Sequence, residues 1–360
     1  MMMQARLRAR RTRLRQKIQD AGLAGLLVSH AANRYYLSGF ELHDPQCNES
    51  SGLLLVTATG EDYLLTDPRY KDAALRLWPE ENLFIYTGGA REAIREFLQN
   101  TVDTGAAPLG FESKAMCMDD YTFHAQVLQL EPTDGLVEDM RLIKDPVEIE
   151  AMRRSCGLNH AVFSKVPELL VPGTTESEIA WELEKLFREH GASELAFDAI
   201  VAVGPNGALP HAIPGQDRVL ENCPVLVDMG ARLDGYCSDQ TRTFWVGDTP
   251  TAEFQRTLEQ VQEAQALAIE IIKPGVPMIE AYETARNYFK EQGVAEHFTH
   301  GLGHGVGLET HEAPSLSTRS KGEFQPGMVV TVEPGLYYPE WGGVRWEYMV
   351  LVTDDGCEVL

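Results

Sequence analysis

The sequence is poor in positive charge, with 31 Lys and Arg against 54 Asp and Glu and a formal net charge of −23 over 360 residues. That balance argues against a duplex nucleic-acid binder, whose affinity comes from Lys and Arg contacts to phosphate. Long apolar runs are missing too: none approaches the roughly 18 residues of a membrane span. Neither nucleic acid nor a membrane is therefore an expected partner. The six cysteines, at positions 47, 117, 156, 223, 237 and 357, include no Cys-x-x-Cys pair. This predicts free thiols in a reducing cytoplasm. Nor is there a secretory signal: residues 1–20 carry seven Arg or Lys and one Asp, without the apolar core of about 7–15 residues such a signal needs. The pattern predicts an amphipathic basic helix instead, with Leu7, Leu14 and Ile18 inward. The acid excess in the rest of the chain reads first as solubility.

What is present is an ordinary hydrophobic share of 44% and a length suited to about two domains. Residues 1–140 read as alternating helix and strand, an α/β unit. Strands are expected at 25–29, 53–56, 63–65 and 83–86, with a helix over 90–98. Asp145-Pro146 starts a new domain, taken as 141–360. Asp145 is a good N-cap, Pro146 suits the first helical position, and Glu148 completes a capping box. From there the chain repeats itself faintly. A helix leads to Pro172-Gly173, and a second, capped by Thr175, carries Ile179, Leu183 and Leu186 on one face and stops at Gly191. Later a helix opening at Thr249-Pro250 leads to Pro274-Gly275, then to one that stops at Gly293. Each copy continues into β-rich, histidine-containing sequence and a hairpin bearing two acids. These are Asp228 and Asp239 in the first copy, Glu333 and Glu347 in the second. The shared order predicts an α+β domain of two ααββ halves related by a pseudo-twofold, with a site between them.

Asp228 and Asp239 are expected to lie nearly opposite across a hairpin centred near 233–235, with β-carbons roughly 5 Å apart. Two buried carboxylates that close repel, and one would normally keep its proton; a cation removes the conflict. Solvated turn acids are the plainer reading, but both residues sit in apolar strand sequence. In the second copy, Gly301-Leu-Gly-His-Gly-Val-Gly-Leu-Glu-Thr-His-Glu-Ala-Pro frames His304 with alternating glycines, which let backbone approach a site closely. A phosphate loop is excluded because no Gly-Lys-Ser/Thr follows and the spacing is not GxGxxG. A zincin helix is excluded because His311 has no partner His four residues on, and Pro314 breaks a helix. Glu333 and Glu347 are flanked by apolar residues, where an unpaired carboxylate is costly.

These motifs, with Asn33-Arg-Tyr-Tyr-Leu-Ser-Gly-Phe and Thr66-Asp-Pro-Arg-Tyr in the first domain, resemble the pita-bread metallopeptidase family in its Xaa-Pro aminopeptidase and prolidase branch. The resemblance covers nearly the whole chain. It implies a creatinase-like N-terminal domain and a pita-bread catalytic domain, and a homodimer. It further implies a dinuclear site with Asp239 and Glu347 bridging, Asp228 on one metal, and His304 with Glu333 on the other. His211 matches a substrate-side histidine and His311 one that assists at the scissile carbonyl. Arg242 and His300 match supporting positions. Four carboxylates would balance two divalent cations, and an oxygen-rich shell with one imidazole favours Mn²⁺, with Co²⁺ or Zn²⁺ as alternatives. Two such ions can activate water and polarise a carbonyl, and Glu333 is placed to relay a proton.

The implied activity is hydrolysis of the bond preceding proline in small peptides, releasing the N-terminal residue. Ser315 follows Pro314 where some dipeptide-cleaving relatives carry an Arg, which leans toward an aminopeptidase; a prolidase restricted to Xaa-Pro dipeptides is the alternative. A creatinase-like hydrolase would lack the metal ligands, all five of which are kept. A non-catalytic pita-bread binding protein is the more distant reading. It is kept open by Tyr348, which stands where the family usually has an Asp beside Glu347 and cannot supply its charge. Trp346, where the family usually has an aliphatic residue, and Cys237 read as packing.

Overall fold

The computed structural model describes residues 2–46 and 49–360. Of the six cysteines expected free, Cys47 lies outside the described residues, and the other five are unpaired. The chain divides into two compact units, Met1–Arg141 and Leu142–Leu360. Among the described residues no helix is long and apolar enough to cross a membrane.

The first unit is built on a six-stranded mixed sheet in the order Leu83–Ile85, Asp62–Thr66, Leu53–Thr57, Gly25–Val28, Leu109–Glu112, Leu130–Thr133. Its basic helix, Met2–Asp20, buries Leu7, Leu14 and Ile18. Two of its arginines are buried as well. Arg10 Nη1 and Arg11 Nη1 donate to the carbonyls of Tyr36 (3.0 Å) and Leu37 (2.7 Å). Those carbonyls end the helix Ala31–Ser38, where orphan acceptors and the negative end of the helix dipole favour cations. The positive charge of the first helix thus has a structural use within the unit.

The second unit repeats. In its first half, helix Pro146–Phe163 opens on the expected capping box at Asp145 and Glu148, and helix Glu176–Glu189 on another at Thr175 and Glu178. Ile179 and Leu183 are buried, and Leu186 packs against the same core. These helices cover a sheet of Gln240–Val246, Cys223–Met229 and Ile200–Val203. In the second half, Ala252–Glu270 and Met278–Glu291 cover a five-stranded sheet in the order Glu312–Leu316, Gly303–Gly305, Val329–Val332, Tyr348–Val352, Cys357–Val359. The first of these helices starts two residues later than Thr249-Pro250 suggests, because Thr251 is the N-cap and its side chain accepts from Phe254 N–H. Glu347 N–H donates to Thr241 O at 3.2 Å, joining the two halves beside the acids.

Register is where the structure departs from the sequence reading. The turn of the first hairpin is Asp234-Gly235, with φ of +52° and +85°, the pair of positive dihedrals of a two-residue I′ turn. It pairs Leu233 with Tyr236 and, further along, Asp228 with Thr241. Asp239 therefore lies two residues from the position opposite Asp228. Because strand side chains alternate, the offset keeps both on one face, as diagonal neighbours. In the second half Val332 pairs with Tyr348, and Gly335 with Arg345 across a separate ribbon. Continuing that register puts Glu333 directly opposite Glu347.

Candidate metal centre

The two acid-bearing hairpins and the glycine-rich strand meet at one cavity of about 380 Å³. Asp228, Asp239, His304, Glu333 and Glu347 line it, together with His211, His300 and His311. Of the nine residues given a catalytic, metal-holding or supporting role in the sequence reading, Arg242 alone is absent from the wall; it lies behind Glu347, its Nη1 donating to the Glu347 carbonyl.

The alternating glycines do more for the sheet than for the cavity. A Cβ at Gly303 would overlap the Thr331 carbonyl oxygen, and one at Gly305 the Ala313 carbonyl. Small residues here let the His304 strand sit between its two neighbours, with a register shift between His304 and Gly305. Gly303→Ala is expected to lower stability by about 2–3 kcal/mol, an overpacking cost against rigid backbone. A urea-unfolding midpoint equal to that of the parent would contradict this.

The acids are crowded and buried. Asp228, Asp239 and Glu347 are 8%, 6% and 1% exposed, and one oxygen from each lies within 4.8 Å of the others. Burial, then the neighbouring carboxylates, hold the Asp239 and Glu347 carboxyls well above their ordinary range. Asp228 is raised chiefly by burial, against the pull of Arg345. Glu333 goes the other way: burial opposes its charge, but His304 Nε2 at 3.2 Å, together with His300 and Arg345, outweighs it and brings the carboxyl down to about 2. The same contact overcomes burial at His304 and lifts its imidazole to about 9. His304 Nδ1 faces the Gly305 carbonyl at 3.1 Å. A carbonyl can only accept, so Nδ1 carries the hydrogen and Nε2 is the nitrogen left for the cavity, 3.7 Å from Asp239. Burial first, and then His304, lowers His311, whose ring centroid is 4.2 Å from that of His304.

Sequence reasoning missed three residues that shape the site. Arg345 is 3% exposed and donates to Asp228 Oδ2 (2.6 Å), Thr241 Oγ1 (3.0 Å) and the Tyr337 hydroxyl (3.1 Å). That hydroxyl in turn meets His300 Nε2 at 2.8 Å. Thr331 Oγ1 accepts from His304 N–H and donates to Glu333 Oε1, both at 3.0 Å. Gln265, on a helix, spends its amide on the carbonyls of Val332 (2.7 Å) and Trp346 (3.0 Å), the residues just before Glu333 and Glu347. For Arg345 and Gln265 the available signal was a cationic or amide residue at a position that periodicity assigns to the interior; Thr331, a common strand residue, carried none.

The donor set fits divalent cations. Asp228 Oδ1 and Glu347 Oε1 are buried without any hydrogen-bond partner, although each carboxylate is anchored through its other oxygen by Arg345 or Thr241. Buried acceptors left open in this way are costly unless something positive meets them.

Comparison with known proteins adds family to geometry. Residues 150–354 match the model of metallopeptidase family M24, and residues 10–143 that of the creatinase/prolidase N-terminal domain. An Xaa-Pro dipeptidase of Pyrococcus furiosus is 32% identical over 354 residues, 98% of each chain. The solved structure of an Xaa-Pro dipeptidase from Bacillus anthracis superimposes with a TM-score of 0.90 at 34% identity, covering 98% of this chain and 97% of that one. An X-Pro aminopeptidase structure from Thermotoga maritima gives a TM-score of 0.86 at 30% identity, covering 97% of this chain and 96% of that one.

Proposed function

The chain belongs to metallopeptidase family M24, with the pita-bread fold and a creatinase-type N-terminal domain, and from that premise we propose that it is a dinuclear Xaa-Pro dipeptidase. One observation carries the reading: four buried or half-buried carboxylates and one imidazole converge on a single cavity. Asp228, Asp239, His304, Glu333 and Glu347 are the proposed ligands, with Asp239 and Glu347 shared between two ions and Mn²⁺ the preferred metal. Bound ions supply Lewis-acid chemistry, polarising the scissile carbonyl and making water acidic enough to attack at neutral pH.

The chain's own residues do the rest. Arg345 orients Asp228 and, through Tyr337, His300. Glu333, kept anionic by His304, accepts a proton at its carboxylate and passes it toward the leaving nitrogen. That nitrogen, being proline's, has no hydrogen of its own in the peptide bond. His211 and His311 lie on the cavity wall and hold the peptide, donating to the oxyanion as it forms. The reading includes a homodimer, as the family resemblance implies, in a reducing compartment where its thiols stay free.

The absence of an Arg after Pro314 leans toward an aminopeptidase. The similar proteins weigh the other way, since dipeptidases predominate among them, and the dipeptidase alternative is the better-supported one. Metal-stripped protein reloaded with Mn²⁺ is expected to cleave an Xaa-Pro dipeptide with a kcat/KM about tenfold or more above that for an Xaa-Pro-Xaa tripeptide. A proline-free control should stay intact. Preference for the tripeptide would reverse the assignment. Inertness toward both with Mn²⁺, Co²⁺ and Zn²⁺ would remove the peptidase reading.

A further inference from the structure

Arg242 lies on the strand Gln240–Val246, whose successive side chains face opposite sides. Its neighbour Thr241 faces the carboxylates, donating from Oγ1 to Glu347 Oε2 at 2.7 Å. Arg242 points the other way and is held between two rings, 4.3 Å from the Trp346 centroid and 4.2 Å from that of Tyr348. These two aromatics flank Glu347 but are absent from the cavity wall that Arg345 and Glu347 line, so they project away from the face that Glu347 presents to the cavity. From between them the guanidinium donates through Nη1 to the carbonyls of Thr241 (2.7 Å) and Glu347.

The local backbone is bolted at every polar group. Trp346 N–H donates to Pro334 O at 3.3 Å and Glu347 N–H to Thr241 O at 3.2 Å. Trp346 O accepts from Gln265, and Glu347 O from Arg242. Three of those four bonds depend on backbone or on an amide set in a helix. The fourth depends on a long, flexible side chain, which would wander unless something restrained it. Two π faces restrain a cation well in a partly desolvated place, and they do so without adding negative charge behind a cluster that already holds four acids.

We propose that Trp346 and Tyr348 are positioning residues of the cation site: their rings clamp Arg242 against the Glu347 carbonyl and so fix the direction in which the Glu347 carboxylate enters the cluster. The inference rests on the metallopeptidase reading above.

Titration calorimetry of metal-stripped protein with Mn²⁺ tests it. Tyr348→Ala and Trp346→Ala are expected to weaken Mn²⁺ binding about 10–100-fold, the range for residues that orient a ligand from behind. Tyr348→Phe keeps the ring and should restore affinity to within about threefold of the parent. At saturating Mn²⁺ the alanine variants should lose kcat for an Xaa-Pro dipeptide while KM stays near the parent value, since neither ring touches the cavity. Should Tyr348→Ala not melt cooperatively, Tyr348→Leu, which fills the space without a π face, replaces it with the same expectation. Parent-like Mn²⁺ affinity in the alanine or leucine variants would overturn the clamp alone. Equal losses in Tyr348→Phe and Tyr348→Ala would overturn it too, by assigning the effect to the hydroxyl. A parent protein that binds none of Mn²⁺, Co²⁺ and Zn²⁺ would overturn both the clamp and the reading beneath it.

Discussion

Glu347→Ala is expected to abolish peptide cleavage and to strip divalent metal from the protein. Glu347 is 1% exposed, its backbone is fixed by Thr241 and Arg242, and one of its carboxylate oxygens is anchored on Thr241 while the other stays open. A residue held so firmly, with an open buried carboxylate oxygen close to two other acids, suits the cation-holding role proposed for it. As a shared ligand its loss would disturb both ions at once. A fall in kcat/KM of about 10³-fold or more is expected, equivalent to about 4 kcal/mol of transition-state stabilisation. Bound metal, measured by elemental analysis after gel filtration, should fall in parallel. Loss of fold would mimic this, and Glu347→Gln separates the two. It keeps the shape and cannot ionise, at a position where burial and neighbouring carboxylates already favour the uncharged form, so the metal-free variant should melt no lower than the metal-free parent. Full activity in Glu347→Ala would refute the shared-ligand role.

Much of this arrangement is readable from residue order because the signals are local and periodic. Capping boxes at Asp145 and Thr175 declare where helices start, and two Pro-Gly to Gly intervals reveal the repeat. Acids in apolar strand sequence mark the site. What could not be read are quantities set by turn geometry and by contacts distant in sequence. The Asp228–Asp239 offset depends on the positive φ at Asp234 and Gly235, and a hairpin centre misplaced by one residue moves the pairing by two. Arg345 reads as an ordinary strand residue until Asp228, 117 positions away, is seen to receive it. Gln265 looks like a polar helix position until the two carbonyls it joins are brought together by strands some seventy and eighty residues on. Trp346 reads as packing, and it does stay off the cavity and pack against the core of the second half, but what residue order could not show is that its ring also meets the Arg242 guanidinium. In each case the sequence records the residue type and the fold supplies the partner.

The metal-free protein is expected to lose stability as pH rises from about 6.5 to 9, the reverse of what an ordinary set of paired carboxylates produces. In the unfolded chain Asp and Glu release their protons near the ordinary values of 3.8 and 4.5, whereas folded Asp239 and Glu347, and to a lesser degree Asp228, hold theirs to higher pH. Above about pH 6.5 the native state thus binds more protons than the unfolded one, and stability falls by about 1.4 kcal/mol per pH unit for each proton of difference. His304 acts in the same sense. Its folded value of about 9 against an ordinary 6.5 gives stability that is complete below 6.5 and lost as pH rises through 9. Glu333, down at about 2 from 4.5, has the opposite sign, but its contribution is lost only as pH falls below 4.5 toward 2, outside this window. His124, His160, His300 and His311, lowered by burial, also have the opposite sign, and theirs is lost as pH falls below 6.5, again outside it. Cation binding inverts the trend, because the ligands must be deprotonated to bind and affinity therefore climbs with pH. A metal at about 1,000 times its Kd adds about 4 kcal/mol, and that increment should be larger at pH 8 than at pH 6.5. Urea unfolding at both pH values, with chelator and with Mn²⁺, measures all four states. Metal-free stability that rises between pH 6.5 and 8 would mean that the cluster is already ionised without a cation, and would contradict the charge balance on which a two-metal site rests.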